Sequence, residues 1–90
     1  MQNIFITGAS GFVGQYLVNE LITKTTNQLF LLVRARNNQS ATERIKKIFR
    51  QHKHLVGSRI FTIEGELDKV YFGLGIDKFE DLAQKINVIY

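Results

Sequence analysis

The chain contains no cysteine. Disulfides, thiolate nucleophiles and cysteine–zinc sites are thereby excluded, and the redox compartment carries no mark, with cytoplasm as the default. Proline is absent as well. No apolar run approaches the roughly 20 residues that span a bilayer. The start, Met1-Gln2-Asn3, lacks the basic region of a secretory signal. No membrane partner is therefore expected. Acid is in short supply: 8 Asp+Glu stand against 12 Lys+Arg, for a net charge of +4 and a pI near 9.6. The bias suits an anionic ligand but is too small to indicate nucleic acid. What remains is ordinary. Hydrophobic residues make up 44% and charged residues 22% of 90, with a mean hydropathy of -0.07. Such a chain folds as one small domain or part of one. It buries only about 60–65% of its unfolded surface, so its stability margin is thin.

The pattern alternates strands with helices. Asn3 to Thr7 is a short run of β-formers ended by Gly8. Phe12, Val13, Tyr16, Leu17 and Leu21 recur at helical spacing and predict an amphipathic helix over 12–22. Gln28 to Val33 holds five consecutive apolar residues, which suits a strand covered on both faces. After the polar Asn37-Asn38-Gln39, the spacing Ser40-x-x-Glu43 fits a capping box. Ala41, Ile45, Ile48, Phe49 and His52 then mark a helix whose outer face carries Lys46, Lys47, Arg50 and Lys53, with Gly57 as its stop. Arg59 to Ile63 reads as a third strand, closed by Gly65, and 69–76 as a loop. Asp77 and Glu80 repeat the capping pattern before a short helix with Phe79, Leu82, Ala83 and Ile86, and 86–90 reads as a fourth strand. Helical crossovers imply a parallel sheet. No repeat or linker divides the chain.

The strongest chemical signal is Thr7-Gly8-Ala9-Ser10-Gly11-Phe12-Val13-Gly14, placed where a strand turns into a helix. In a dinucleotide-binding turn the first glycine serves the tight turn, the second lets a pyrophosphate approach, and the third lets the helix pack closely. The helix N-terminus adds free N–H groups and partial positive charge. We therefore expect an α/β, Rossmann-type parallel sheet of four strands in the order 3-2-1-4, truncated after its first half. Residues 1–90 would form one partial cofactor domain.

Which dinucleotide binds is read at the end of the second strand. An NAD site carries an acid about 20 residues after the third glycine. Arg34 stands there, and no carboxylate lies between Glu20 and Glu43. An arginine at that point pairs with a ribose 2′-phosphate through its planar fork. Arg36 and Arg44 lie near enough in sequence to join it. The cofactor expectation is NADP.

Beyond these residues, Leu32-Val33-Arg34-Ala35, Arg44, Gly65-Glu66-Leu67, Phe72-Gly73-Leu74-Gly75 and Val88-Ile89-Tyr90 run in one order. With the glycine motif, that order resembles the thioester reductase subgroup of the extended short-chain dehydrogenase/reductases, similar to fatty acyl-CoA reductases. The resemblance spans essentially the whole chain. It implies an NADPH-dependent enzyme that releases an acyl thioester, held on a carrier protein or CoA, as aldehyde or alcohol. It also places Glu66 and Leu67 beside the adenine, with Glu66 where the family usually carries Asp. The family's Tyr-x-x-x-Lys pair has no counterpart: Tyr16 is followed at i+4 by Glu20 and Tyr71 by Gly75. The expectation is the amino-terminal half of a reductase domain, inactive by itself, with no catalytic residue and no metal ligand of its own.

Competing readings are another extended reductase, such as a nucleotide-sugar epimerase or dehydratase, and a small basic binding module. The first more often carries the acid missing here. The basic helix of the second also reads as a solvated face. His52 and His54 do not share a helix face and make a poor metal pair. Glu64 and Glu66 share a strand face without a catalytic partner and read as a solvated strand end. The last strand, apolar and without Pro or Lys to guard it, is expected to pair with another copy.

Overall fold

The computed structural model describes residues 1–36 and 38–90. Four strands, β1 (Asn3–Ile6), β2 (Gln28–Val33), β3 (Ile60–Glu64) and β4 (Val88–Ile89), alternate with three helices, α1 (Phe12–Lys24), α2 (Ala41–Ile48) and α3 (Ile76–Lys85). Every strand pairing is parallel, in the order β3-β2-β1-β4. The fold class and strand order read from the sequence are both borne out.

β2 shows why helices must flank both faces. Successive side chains of a strand point to opposite sides. Leu29, Leu31 and Val33 join a core with Ile4 and Ile6 of β1, Val18 and Ile22 of α1, and Ala41 and Ile45 of α2. Phe30 and Leu32 join Phe5 and Leu82 of α3 in a second core on the other face. The continuous apolar run is thus the imprint of a doubly covered strand. The radius of gyration, 12.3 Å, matches the roughly 12 Å of a folded chain this long.

Helix ends follow the sequence unevenly. Ser40 caps α2 as expected, its hydroxyl accepting the Glu43 N–H at 3.1 Å. The reciprocal half of the box is different, because the Glu43 carboxylate meets the Ser40 hydroxyl at 3.4 Å. α2 ends at Ile48, and a 3-10 segment over Arg50–Leu55 carries the chain to the turn at Gly57. His52 therefore does not extend the α2 stripe, which is completed by buried Phe49. Asp77 does not cap α3. Gly75 does, with a left-handed φ of 83°, and Asp77 sits in the first turn. Arg36 and Gln39 exchange backbone hydrogen bonds of 3.0 and 2.8 Å; Asn37, in the polar stretch between them, lies outside the described residues.

Two further expectations need correction. Phe12, Val13 and Tyr16 do not face the core; they are 91%, 76% and 66% exposed, and α1 buries Val18 and Ile22 instead. Leu17 and Leu21 of the same i+4 pattern do pack against the core, so the pattern fails only at its amino-terminal members. β4 spans two residues rather than five, although the Asn87 and Tyr90 N–H groups still donate to the Asn3 and Phe5 carbonyls.

Arg59, just before β3, ties the far end of the sheet to α1. Its guanidinium donates to the carbonyls of Leu21, Ile22, Thr25 and Asn27 at 2.8–3.3 Å. Leu21 and Ile22 lie in the last turn of α1, and Thr25 and Asn27 just beyond it, where carbonyls run short of backbone donors; the Leu21 carbonyl also accepts the Thr25 N–H at 3.1 Å. Arg59→Met is expected to cost about 2–4 kcal/mol, given roughly 1.5–3 kcal/mol for a single hydrogen bond to a charged group. The thermal midpoint should fall by roughly 10–20 °C for a domain of this size. Arg50→Met, on an exposed face, serves as the control, and equal melting of the two variants would remove the cap from the account.

Candidate functional site

All three strand-to-helix connections, 7–11, 34–40 and 65–75, leave from the C-terminal ends of parallel strands. They therefore gather along one edge of the sheet. β1 is where the chain order turns, since β2 and β3 lie to one side and β4 to the other. Clefts in open α/β sheets form outside the strand ends at such a switch point. Here a cleft of about 380 Å³ is lined by Thr7, Ser10, Leu32, Val33, Arg34, Arg36, Arg44, Gly65, Leu67 and Asp68.

The glycine turn forms one wall. Gly14 is sterically compelled: a Cβ there would stand 1.7 Å from the Gly8 carbonyl oxygen and 2.9 Å from the Ala9 Cα. Both are backbone atoms with no room to yield. Gly14 thus seats the first turn of α1 against the turn itself, more than against the strand. Gly8 departs from its expected role, since its φ lies outside the left-handed region. A Cβ at Gly8 would meet nothing within 4 Å, and at Gly11 only the Gly8 oxygen at 3.5 Å. The chain's own packing therefore tolerates side chains at both. The bare backbone instead suits close approach by an anionic group such as a diphosphate. Gly11 is the N-cap of α1 and supplies no capping side chain, so the first-turn N–H groups have no side-chain acceptor there. Phe12 and Val13 occupy that turn, with side chains that do not line the cleft. Ser10 lines it, and its carbonyl accepts Gln15 Nε2 at 2.8 Å, bracing the turn. Thr7 donates through its backbone N–H and its hydroxyl to the Tyr90 carbonyl, at 3.1 and 3.2 Å.

The opposite wall is cationic. Arg34 and Arg36 follow β2, and Arg44 comes from the first turns of α2, so two elements bring three arginines to one cleft. Arg44 donates through Nη1 to the Arg34 main-chain carbonyl. This contact binds the helix to the strand end. Glu66 does not line the cleft, whereas its neighbours Gly65 and Leu67 do. The Glu66 carboxylate lies 4.0 Å from Arg34 Nη1 and 3.8 Å from Lys69 Nζ. Glu64 and Glu66 do not act as a pair: Glu64 accepts the Ala41 N–H at 3.0 Å and so caps α2 from β3.

Leu32, Val33, Gly65 and Asp68 also line the cleft, although none of them is an expected site residue. In the sequence Gly65 reads as a strand stop and as part of the Gly65-Glu66-Leu67 resemblance. A Cβ there would lie 2.4 Å from the Phe72 carbonyl oxygen, so glycine alone allows the 65–67 turn to reach the cleft. Phe72 and Tyr71 hold left-handed φ values of 57° and 51° to deliver that carbonyl, a conformation costly for aromatic residues. A second, mainly apolar cavity of about 370 Å³ adjoins the first, with Thr7 and Leu67 lining both. Among the described residues no cluster of three or more potential metal ligands occurs, and no helix is long and apolar enough to cross a membrane.

Comparison with known proteins accords with this geometry. The chain is 31% identical over 94 residues to the large subunit of L-2-aminoadipate reductase from Candida glabrata, covering 97% of the chain and 7% of that protein. It superposes on the terminal R domain of the myxalamid PKS-NRPS pathway with a TM-score of 0.84 and 30% identity, covering all of the chain and 24% of that domain. It superposes on the reductase domain of a non-ribosomal peptide synthetase from Mycobacterium tuberculosis with a TM-score of 0.83 and 30% identity, covering 99% of the chain and 23% of that domain. The chain thus spans about a quarter or less of these relatives. The family model described as male sterility protein, an NAD-binding family, matches residues 6–90, and the chain belongs to that family, as its resemblance to thioester reductases led us to expect.

Proposed function

We propose that residues 1–90 form the NADP(H)-binding part of a thioester reductase that releases an acyl group from a carrier protein or CoA as aldehyde or alcohol. The observation that carries the cofactor assignment is the convergence of Arg34, Arg36 and Arg44 on the cleft beside the glycine turn, where NAD-using relatives of the fold place an acid. The free N–H groups at the start of α1 and the bare backbone of Gly8 and Gly11 suit the diphosphate. Thr7, Ser10 and Gly14 hold that turn in shape. Phe12 and Val13 contribute their backbone N–H groups, and Leu67 offers an apolar surface to the adenine. The bound cofactor would supply the hydride.

The reductase names of the relatives support an oxidoreductase as the setting. The same arginines argue against an epimerase or dehydratase that uses NAD. A basic module binding nucleic acid predicts tighter binding to RNA than to NADPH, with a steep salt dependence.

Binding should discriminate at one atom group. A hydrogen bond to a charged partner contributes roughly 1.5–3 kcal/mol net, or about 10–100-fold in affinity. Arg34→Ala is expected to weaken NADPH binding by that factor and to leave NADH binding nearly unchanged, measured by titration calorimetry. An equal loss for both nucleotides would overturn the assignment.

Turnover should be absent. Reduction of a thioester needs a proton donor and a stabilised oxyanion, and neither is matched here. Purified chain mixed with NADPH and an acyl-CoA is expected to show no steady loss of absorbance at the reduced nicotinamide band. Sustained consumption would refute the reading of this chain as a cofactor-binding part alone.

Self-association should appear in solution. β4 is at the sheet edge, with Ile89 and Tyr90 70% and 55% exposed, and such an edge accepts another strand. Light scattering after size exclusion is expected to report a species larger than the 10.4 kDa chain. A monomer that persists at high concentration would count against β4 pairing.

A further inference from the structure

We propose that Glu66 is a specificity-determining residue, a competitor built into the chain that holds Arg34 until a ribose 2′-phosphate displaces it. The inference rests on the NADP(H) reading above and adds to it how tightly, and how selectively, the phosphate is held.

The backbone that carries Glu66 has little freedom. The Gly65 N–H donates to the Val33 carbonyl at 3.1 Å, and the Glu66 N–H donates to the Phe72 carbonyl at 2.8 Å. The Lys69 N–H closes the turn on the Glu66 carbonyl at 3.2 Å. Any rearrangement is therefore confined to side chains.

From this turn the Glu66 carboxylate stands between two cations, 4.0 Å from Arg34 Nη1 and 3.8 Å from Lys69 Nζ. The two cationic side chains are 58% and 61% exposed. Loose ion pairs in solvent contribute little. A phosphate dianion binds a guanidinium fork through two parallel hydrogen bonds and is the stronger partner. When Arg34 turns to the phosphate, Glu66 keeps Lys69, so the exchange strands no charge. Among the described residues Arg34 is the one cleft arginine in a salt bridge. Arg44 is engaged with a main-chain carbonyl instead. The competition is thus directed at the residue that faces the 2′ position.

After the exchange the carboxylate stays near the bound phosphate. Surrendering an exposed ion pair and leaving a carboxylate near a dianion in a water-like medium together correspond to roughly 3–10-fold in affinity. Glu66 weakens the grip on the 2′-phosphate by that factor and leaves nucleotides lacking it untouched. It also turns away free anions that have no ribose and adenine contacts to help them displace it.

The test uses the 90-residue chain with adenosine 2′,5′-bisphosphate and adenosine 5′-monophosphate as probes, by titration calorimetry. Glu66→Gln is expected to tighten the bisphosphate about 3–10-fold and to move the monophosphate less than about twofold. Glu66→Ala should do the same, and Glu80→Gln, which removes the same charge from the exposed face of α3, should do neither. In an Arg34→Ala background the gain from Glu66→Gln should shrink, since only the repulsion between the carboxylate and the phosphate is then left to remove. Circular dichroism verifies that each variant keeps its fold. If Arg34→Ala selectively weakens the bisphosphate but Glu66→Gln leaves it unchanged or weaker, the competition is overturned and the NADP(H) reading stands. A gain of the same size without Arg34 also overturns it, since the charge would then act on the phosphate alone and not through the arginine. If Arg34→Ala weakens both probes equally, or the bisphosphate does not bind, the NADP(H) reading falls and the inference falls with it.

Discussion

The two-sided burial of β2 is the constraint from which the rest follows. Leu29, Leu31 and Val33 fill one core while Phe30 and Leu32 fill the other. A strand that is apolar on both faces is stable only under helices on both faces. With α1 and α2 on one side and α3 on the other, every connection from strand to helix emerges at the same edge. The cleft is a geometrical result of that arrangement. Its floor is the end of β2 itself, through Leu32 and Val33.

Two close backbone contacts then shape the cleft. Gly14 allows the start of α1 to lie against the Gly8 carbonyl, and Gly65 allows the β3 turn to lie against the Phe72 carbonyl. Neither place has room for a methyl group. The glycines at 8 and 11 differ, because nothing in the chain crowds them. The turn thus contains glycines of two kinds, one serving the fold and two leaving the surface open. The left-handed backbone at Tyr71 and Phe72 belongs to the same construction, since it presents the carbonyl on which the Glu66 N–H rests. Strain of this kind persists where the surrounding contacts over-determine it.

Charge is distributed in keeping with these shapes. The cationic wall comes from a strand end and a helix start, and two acids near it are committed, Glu64 to the Ala41 N–H and Glu66 to Arg34 and Lys69, while Asp68 lines the cleft. Two carboxylates that look alike on paper therefore do different things. One terminates a helix, and the other balances cations at the mouth of the cleft.

Much of this was legible in the residues. The alternation of apolar runs with amphipathic segments determined a parallel sheet, because each period demands its own geometry and the crossovers leave one arrangement. The glycine spacing and Arg34 pointed to the candidate cleft and to the anionic ligand proposed for it, since both are local properties of a turn and a strand end. Other features were set by distance in space between segments remote in sequence, which no local pattern encodes. α1 buries Val18 and Ile22 rather than Phe12, Val13 and Tyr16 because the close contact of Gly14 with the Gly8 carbonyl sets which side of the helix meets the sheet. Arg59 caps a helix more than thirty residues before it, and Glu64 caps one from the neighbouring strand. Gly65 reads as a strand stop until Phe72 is seen above it. Glu66 became a partner of Arg34 only when the sheet brought the ends of β2 and β3 side by side, because an ion pair depends on separation in space and not on separation along the chain.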